Sequence, residues 1–72
     1  MPQLKDQHLI NKVVQRIKKL REQQGVTQEQ FYNDTNIHIS RIEADKPNIS
    51  ISTLSAICKY FKISISELMK GL

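Results

Sequence analysis

The sequence predicts an all-α domain of five short helices and no sheet. Apolar residues recur at intervals of three and four between Leu9 and Leu20, which is the spacing of one helix face. Residues 27–30 and 64–67 both have the Ser/Thr-x-x-Glu/Gln pattern of an N-terminal capping box. Clusters of turn and cap residues separate the apolar segments. Together these patterns are typical of a small helical bundle.

Helix 1 is predicted from about residue 6 to residue 24, with an N-terminal extension that begins near residue 4. Gly25 follows it, in the position favoured just past a helix end. Helix 2 is predicted at about 28–34, because the Thr27 hydroxyl can accept from the Gln30 amide while the Gln30 side chain reaches back. The turn and cap residues that keep this helix short are Asn33, Asp34, Thr35 and Asn36.

Helix 3 is predicted at about 36–44, with Ile39 and Ile42 on its apolar face. Breaker residues at 45–48 then form a loop. Helix 4 is predicted at about 52–61, although the β-branched residues beside it would also fit a short strand. Its inward stripe consists of Leu54, Ile57, Cys58 and Phe61. Helix 5 follows the Ser64 cap and ends near Lys70.

Size and composition limit the chain to one small domain. With 72 residues and 39% hydrophobic content, the whole chain is needed for one core. Its single cysteine, Cys58, cannot form an internal disulfide, which fits a reducing compartment. The start has no apolar segment of a signal peptide, and no apolar run approaches the roughly 18 residues of a membrane span. We therefore expect a cytoplasmic protein.

Positive charge is concentrated in the first predicted helix. The net charge is +4, from 11 basic and 7 acidic residues. Five basic residues lie between Asp6 and Glu22 with no acid among them, namely Lys12, Arg16, Lys18, Lys19 and Arg21. This distribution favours an anionic partner. A solvated helix face, or the dipole at the C-terminal end of helix 1, explains it equally well.

Five short motifs occur in order along the chain. They are Ile-Lys-Lys-Leu-Arg at 17–21, Gly-Val-Thr-Gln-Glu at 25–29, Ile-Ser-Arg-Ile-Glu at 39–43, Ser-Thr-Leu at 52–54 and Ile-Ser-Ile-Ser-Glu-Leu at 63–68. Together they resemble the motifs of the lambda-repressor and Cro-like helix-turn-helix family, also called the XRE family. The resemblance extends over about 17–69. It implies a five-helix domain that binds operator DNA, usually as a homodimer, and acts as a transcriptional repressor or regulator.

One departure from the family pattern concerns the helix-turn-helix itself. Between Gln28 and Glu43 the chain is about three residues shorter than the family's usual span. Asn36 and Ile37 either take the turn role that Gly and an aliphatic residue have in the family, or begin the recognition helix after a Thr35 cap. Arg41 aligns with the recognition helix under both alternatives.

The candidate DNA-binding residues are Gln28, Asn36, Ile37, His38, Ser40, Arg41, Lys46 and Asn48. Arg41 is the first candidate for base contact, because bidentate Arg–guanine pairing is the commonest specific contact. The alternative for Arg41 is an ion pair with Glu43 or Asp45. Gln28, in the first turn of helix 2, would bind a phosphate or serve only in capping. Asn36 would contact adenine or serve only as a turn residue.

The other candidates have weaker individual signals. His38 would donate to a base or phosphate, or would be a surface imidazole, and Ser40 is small enough to approach either group. Ile37 would help to close the turn. Lys46 and Asn48 would contact phosphates from the loop after helix 3. In helix 1, Lys12, Arg16 and Lys19 would attract DNA at longer range.

Two further residues have predicted structural roles in this region. Glu43 would repel phosphate, so we expect it to pair with Arg21 instead. Tyr32 would fill the space that the shortened turn leaves beside helix 3.

Other functions fit the sequence less well. The chain has no paired carboxylates, glycine-rich phosphate loop or nucleophile with a base, so we expect no enzyme activity and no cofactor. His8 and His38 are distant in sequence and no Cys/His spacing suggests zinc, so no metal is expected. The main alternative is an antitoxin-like or adaptor module that binds a protein partner, such as a toxin or regulator, with DNA binding secondary or lost.

A homodimer is expected because one such module contacts few base pairs. Its surface would be helix 5 with the C-terminal tail, where Leu68, Met69 and Leu72 cannot all be buried easily. The start of helix 1, with Leu4 and Leu9, is the other candidate.

Overall fold

The computed structural model describes residues 6–72, which form five helices. In chain order these are α1 (Gln7–Gln23), α2 (Gln28–Thr35), α3 (Ile39–Asp45), α4 (Ile51–Phe61) and α5 (Ile65–Leu68). Residues 6–72 contain no strand, so the predicted all-α class is confirmed and the strand alternative near helix 4 is wrong. The predicted extension from about residue 4, and Leu4 with it, lies outside the described residues.

Side-chain oxygens cap the N-termini of four helices. The caps are Asp6 for α1, Thr27 for α2, Ser50 for α4 and Ser64 for α5. Each accepts from an amide that the helix itself leaves free. Thr27 Oγ1 accepts from the Gln30 N–H at 3.0 Å, and Ser64 Oγ accepts from the Glu67 N–H at 3.0 Å. Within residues 6–72 the Gln30 side chain accepts no hydrogen bond from the Thr27 N–H. Only one of the two hydrogen bonds of the predicted capping box therefore forms.

One apolar core joins all five helices. Its buried members are Ile10, Val13, Val14, Ile17, Phe31, Ile39, Ile42, Ile49, Leu54, Ile57, Cys58, Phe61 and Leu68. Phe31 from α2 is fully buried, and its ring lies 5.5 Å from that of Phe61 and 4.8 Å from that of Tyr60. Cys58 is buried as predicted, and its burial raises the pKa of the thiol. Burial of this apolar area is the main stabilising contribution to so small a domain.

Arg16 connects α1 to the C-terminal end of α5. Its Nη1 donates to the carbonyl oxygens of Leu68 at 3.1 Å and Lys70 at 3.0 Å. The sequence predicted long-range attraction of DNA for Arg16, whereas the structure gives this side chain a fixed role. It satisfies carbonyls that the end of a short helix leaves free.

Candidate nucleic-acid interface

Three residues, Asn36, Ile37 and His38, connect α2 to α3. Asn36 has a left-handed backbone, with φ 62° and ψ 15°, and its N–H donates to the Tyr32 carbonyl at 2.7 Å. The Thr35 hydroxyl donates to the Phe31 carbonyl at 2.7 Å and accepts from the Ile37 N–H at 3.1 Å. Asn36 therefore ends α2, since a left-handed residue at this position stops a helix. Thr35 does not cap α3, so that alternative from the sequence is wrong.

His38 turns the chain into α3. Its φ of −77° and ψ of 76° are those of an inverse γ-turn, closed by a 2.8 Å bond from the Ile39 N–H to the Ile37 carbonyl. The His38 carbonyl then accepts from the N–H groups of Arg41 and Ile42. The recognition helix predicted at about 36–44 consequently begins at Ile39, and Asn36 and Ile37 belong to the turn.

Asn36 offers a direct test of this turn. We expect Asn36→Ala to lower the free energy of unfolding by about 1 kcal/mol. Asparagine adopts the left-handed region because its side chain can hydrogen-bond locally, and alanine has no such group. Asn36→Gly is expected to leave stability nearly unchanged. Urea titration of both variants measures the difference. Equal effects of the two substitutions would contradict the left-handed turn. A stable Asn36→Gly variant that discriminates less well between DNA sequences would identify a base contact.

A buried ion pair fixes α3 to α1. Arg21 Nε and Nη2 donate to the two Glu43 carboxylate oxygens at 2.8 and 3.0 Å, and Arg21 Nη1 donates to the Val26 carbonyl at 2.8 Å. The two side chains are 10% and 5% exposed. The predicted Arg21–Glu43 pair is confirmed. Because it is bidentate, it fixes the orientation of α3 as well as its distance from α1.

Gln28 extends this ion pair to the first turn of α2. Its side-chain amide donates to Glu43 Oε1 at 2.9 Å, while Thr27 provides the N-cap. Gln28 is otherwise exposed, beside amide groups at the start of the helix. The amide is therefore held in place by a residue of α3, in the position where the sequence predicted phosphate contact.

The ion pair makes stability depend on pH. Burial alone would raise the Glu43 pKa, but hydrogen bonds from Arg21 and Gln28 and the Arg21 charge outweigh it, so the pKa lies below its ordinary 4.5. The hydrogen bond to Glu43 in turn raises the Arg21 pKa. Because the folded-state Glu43 pKa is depressed, its stabilisation is fully present above about pH 5 and decreases as the pH falls through the folded value.

We therefore expect the free energy of unfolding to decrease between about pH 5 and pH 3. Glu43→Gln should be less stable near pH 7 and should lose less stability on acidification, because it has no carboxylate to protonate. Urea titrations at several pH values compare the two proteins. Parallel pH profiles would show that Glu43 is not the group responsible.

The outer face of α3 is polar and exposed. His38, Ser40 and Arg41 are exposed, and Ile39 and Ile42 are buried on the opposite face. Within residues 6–72 the salt bridge is that of Arg21 with Glu43, so Arg41 pairs with neither Glu43 nor Asp45. The alternative of an Arg41 ion pair is thus wrong for the described residues. Among residues 6–72 the Arg41 guanidinium has no hydrogen-bond or ion-pair partner, so no described group competes with an external acceptor.

Lys46 and Lys18 line a groove of about 280 Å³ between α1 and the end of α3, together with Asn11, Val14, Gln15 and Glu43. Lys46 is left-handed at φ 48°, and its carbonyl accepts from the Gln7 amide at 3.3 Å. Asn48 is exposed in the loop that follows. Lys12 and Lys19 lie instead beside Leu72, along a different groove. The structure thus brings Lys18, which was not a candidate, beside Lys46.

Tyr32 lies at the surface, beside the N-terminal end of α3. It is 39% exposed, and its ring stacks on that of His38 with centroids 4.5 Å apart and planes tilted by 31°. The two rings lie at the N-terminal end of α3. Sequence reasoning missed this surface pair, because stacking depends on where the turn places His38.

The geometry is that of two helices joined by a tight turn, with a polar recognition face on the second. A model of the helix-turn-helix family matches residues 17–68. The chain belongs to the XRE-type helix-turn-helix family. A chain in a solved structure of the nucleoprotein complex C.Esp1396I is 34% identical to it, with 86% of this chain and 84% of that chain covered and a TM-score of 0.76. Comparison with curated proteins gave no match.

The described part of the chain has neither a metal site nor a membrane-spanning helix. In residues 6–72 no group of three or more His, Cys, Asp and Glu side chains is arranged to hold a metal ion. None of the helices there has both the length and the apolar character needed to cross a membrane.

Proposed function

We propose that the chain is a sequence-specific DNA-binding regulator of transcription that places α3 in the major groove. The observation that carries this proposal is the exposed polar face of α3, on which Arg41 has no ion-pair partner among residues 6–72 and which the Arg21–Glu43 pair holds on the core. Helix-turn-helix proteins place the N-terminal part of the second helix against base edges. Membership of the family and the likeness to a chain of a nucleoprotein complex support the same function.

Base contact is assigned to the face of α3 and its N-cap. Arg41 is proposed to pair with guanine, because its fork of donors matches the two acceptors on the guanine edge. Ser40 and His38 lie beside it and are exposed. Asn36 is exposed in the turn, whereas Ile37 is half-buried and packs against the core. We therefore assign Ile37 to holding the turn and leave Asn36 as a base-contact candidate.

Phosphate contact is assigned to residues on both sides of α3. The Gln28 amide and the start of α2 lie on one side, and Lys46, Asn48 and Lys18 lie near the end of α3. Such contacts fix the position of a protein on the duplex and make its affinity depend on salt. Neutralisation of Glu43 by Arg21 removes a carboxylate charge that would otherwise repel the phosphates between these two groups.

A homodimer acting as a repressor is the form we propose for this regulator. One α3 presents few base-contacting side chains, so two copies on symmetric half-sites about one helical turn apart would supply the specificity. Occupation of an operator is sufficient for repression and requires no further chemistry.

Selection from a random duplex pool by the purified protein, at about 150 mM salt, tests the proposal. A palindromic consensus with two half-sites is expected. Absence of enrichment, with weak binding that decreases steeply with salt, would contradict it. The search would then turn to a protein partner, as for an antitoxin-like or adaptor module.

A further inference from the structure

The Tyr32–His38 pair is a defined feature of the surface at the start of α3. The rings are 4.5 Å apart, within the range of favourable aromatic pairs. Tyr32 comes from the middle of α2 and His38 is the N-cap of α3. The pair therefore joins the two helices of the helix-turn-helix on the outside of their turn.

The turn holds both rings in place. The Tyr32 carbonyl accepts from the Asn36 N–H at 2.7 Å, and the His38 backbone is fixed by the Ile39-to-Ile37 bond at 2.8 Å. Ile37 between them packs against the core. The backbone that carries both rings is therefore hydrogen-bonded before any ligand arrives, which lowers the entropy lost on binding.

The other aromatic residues of the chain have internal roles that Tyr32 lacks. Phe31 and Phe61 are buried, and the Tyr60 hydroxyl donates to Asp34 Oδ2 at 2.6 Å, which raises the Tyr60 pKa. The Tyr32 hydroxyl and the His38 imidazole nitrogens have no hydrogen-bond partner within residues 6–72. Tyr32 is 39% exposed and His38 is exposed, so solvent reaches both rings although they pack on each other.

The shortened span between Gln28 and Glu43 gives this position its importance. Helix α3 has seven residues and begins at Ile39, so few of its side chains precede Arg41. The paired rings lie at the N-terminal end of α3. An aromatic ring exposed there can pack against a thymine methyl group in the major groove.

We propose that Tyr32, stacked on His38, is a specificity-determining residue that contacts a base edge beside the position contacted by Arg41. This inference rests on the proposed DNA-binding function. The ring of Tyr32 supplies the contact, and His38 fixes its orientation. The pair thereby replaces base contacts that the short α3 cannot make.

Parallel selections with wild type, Tyr32→Ala, Tyr32→Phe, His38→Ala and Arg41→Ala test the inference. Tyr32→Ala should lose about tenfold discrimination at one base pair of each half-site and keep the others. His38→Ala should affect the same base pair, and Tyr32→Phe, which keeps the ring, should retain the preference. Thermal unfolding of each variant verifies that it remains folded.

An unchanged consensus and affinity for Tyr32→Ala would overturn the inference. Equal weakening of Tyr32→Ala on every duplex would overturn it too, because that result indicates phosphate contact. Loss of the preference in Tyr32→Phe would also overturn it. If wild type selects a consensus that Arg41→Ala degrades and Tyr32→Ala does not, this inference alone fails. If wild type selects no sequence, the proposed function fails and the inference fails with it.

Discussion

Glu43→Ala is expected to lower the free energy of unfolding by about 3–5 kcal/mol, which is the size measured for broken buried ion pairs. The substitution leaves the Arg21 guanidinium, with a side chain that is 10% exposed, beside an empty site. It also removes the acceptor of the Gln28 amide. Since a core of this size rarely supplies more than about 3–5 kcal/mol, much of the variant should be unfolded at room temperature.

Circular dichroism during urea titration measures this loss. Glu29→Ala is the matched control, because Glu29 is an exposed glutamate in the first turn of α2, and its removal should cost less than about 1 kcal/mol. The double variant Arg21→Met with Glu43→Leu separates charge from packing. It should be more stable than the sum of its single substitutions predicts, because an apolar pair leaves no buried charge. Additive losses would contradict coupling between the two residues.

Arg41→Ala is expected to reduce discrimination between the selected duplex and a scrambled one by about 10- to 100-fold, as a lost bidentate base contact does. Stability should change by less than about 0.5 kcal/mol, because Arg41 is exposed and outside the ion pair. Fluorescence anisotropy titrations with both duplexes measure the ratio of dissociation constants.

Lys59→Ala is the matched control for Arg41→Ala. It removes one positive charge from the exposed surface of α4 and should leave the ratio unchanged. If Arg41→Ala weakens binding to both duplexes by the same factor, Arg41 contacts phosphate and the base-contact assignment is wrong.

Helix positions could be predicted from the sequence where they depend on local patterns. One ion pair could also be predicted, because its carboxylate had one plausible basic partner. The period of apolar residues located α1, and the hydroxyls of Thr27 and Ser64 located the starts of α2 and α5 within a residue. Arg21 and Glu43 were paired correctly because a carboxylate on a recognition face needs neutralisation. These rules act over a few residues or through strong charge pairing.

The sequence was insufficient where the outcome depended on backbone geometry in the turn. Asn36 is compatible with both a helix start and a left-handed C-cap, and no periodicity distinguishes them. No residue type in this segment marks the inverse γ-turn at His38. The predicted helix therefore begins at about residue 36, whereas α3 begins at Ile39. The surface stack of Tyr32 on His38 follows from that turn and was missed with it.

The roles of the basic residues of α1 also required the tertiary structure. Arg16 and Lys18 look alike as members of one charged segment. The packing of α1 directs Arg16 to the carbonyls at the end of α5 and Lys18 to the groove beside Lys46. The sequence does contain one indication of the position of Lys18. It lies three residues before Arg21, on the same side of the helix, and Arg21 was predicted to pair with Glu43.

The most direct test of sequence-specific DNA binding is equilibrium titration of the wild-type protein with the selected duplex and a scrambled duplex of equal length at about 150 mM salt. We expect binding to the selected duplex to be at least about a thousandfold tighter, which is the ratio typical of specific regulators. Equal affinity for the two duplexes, with binding that weakens steeply as salt increases, would contradict it.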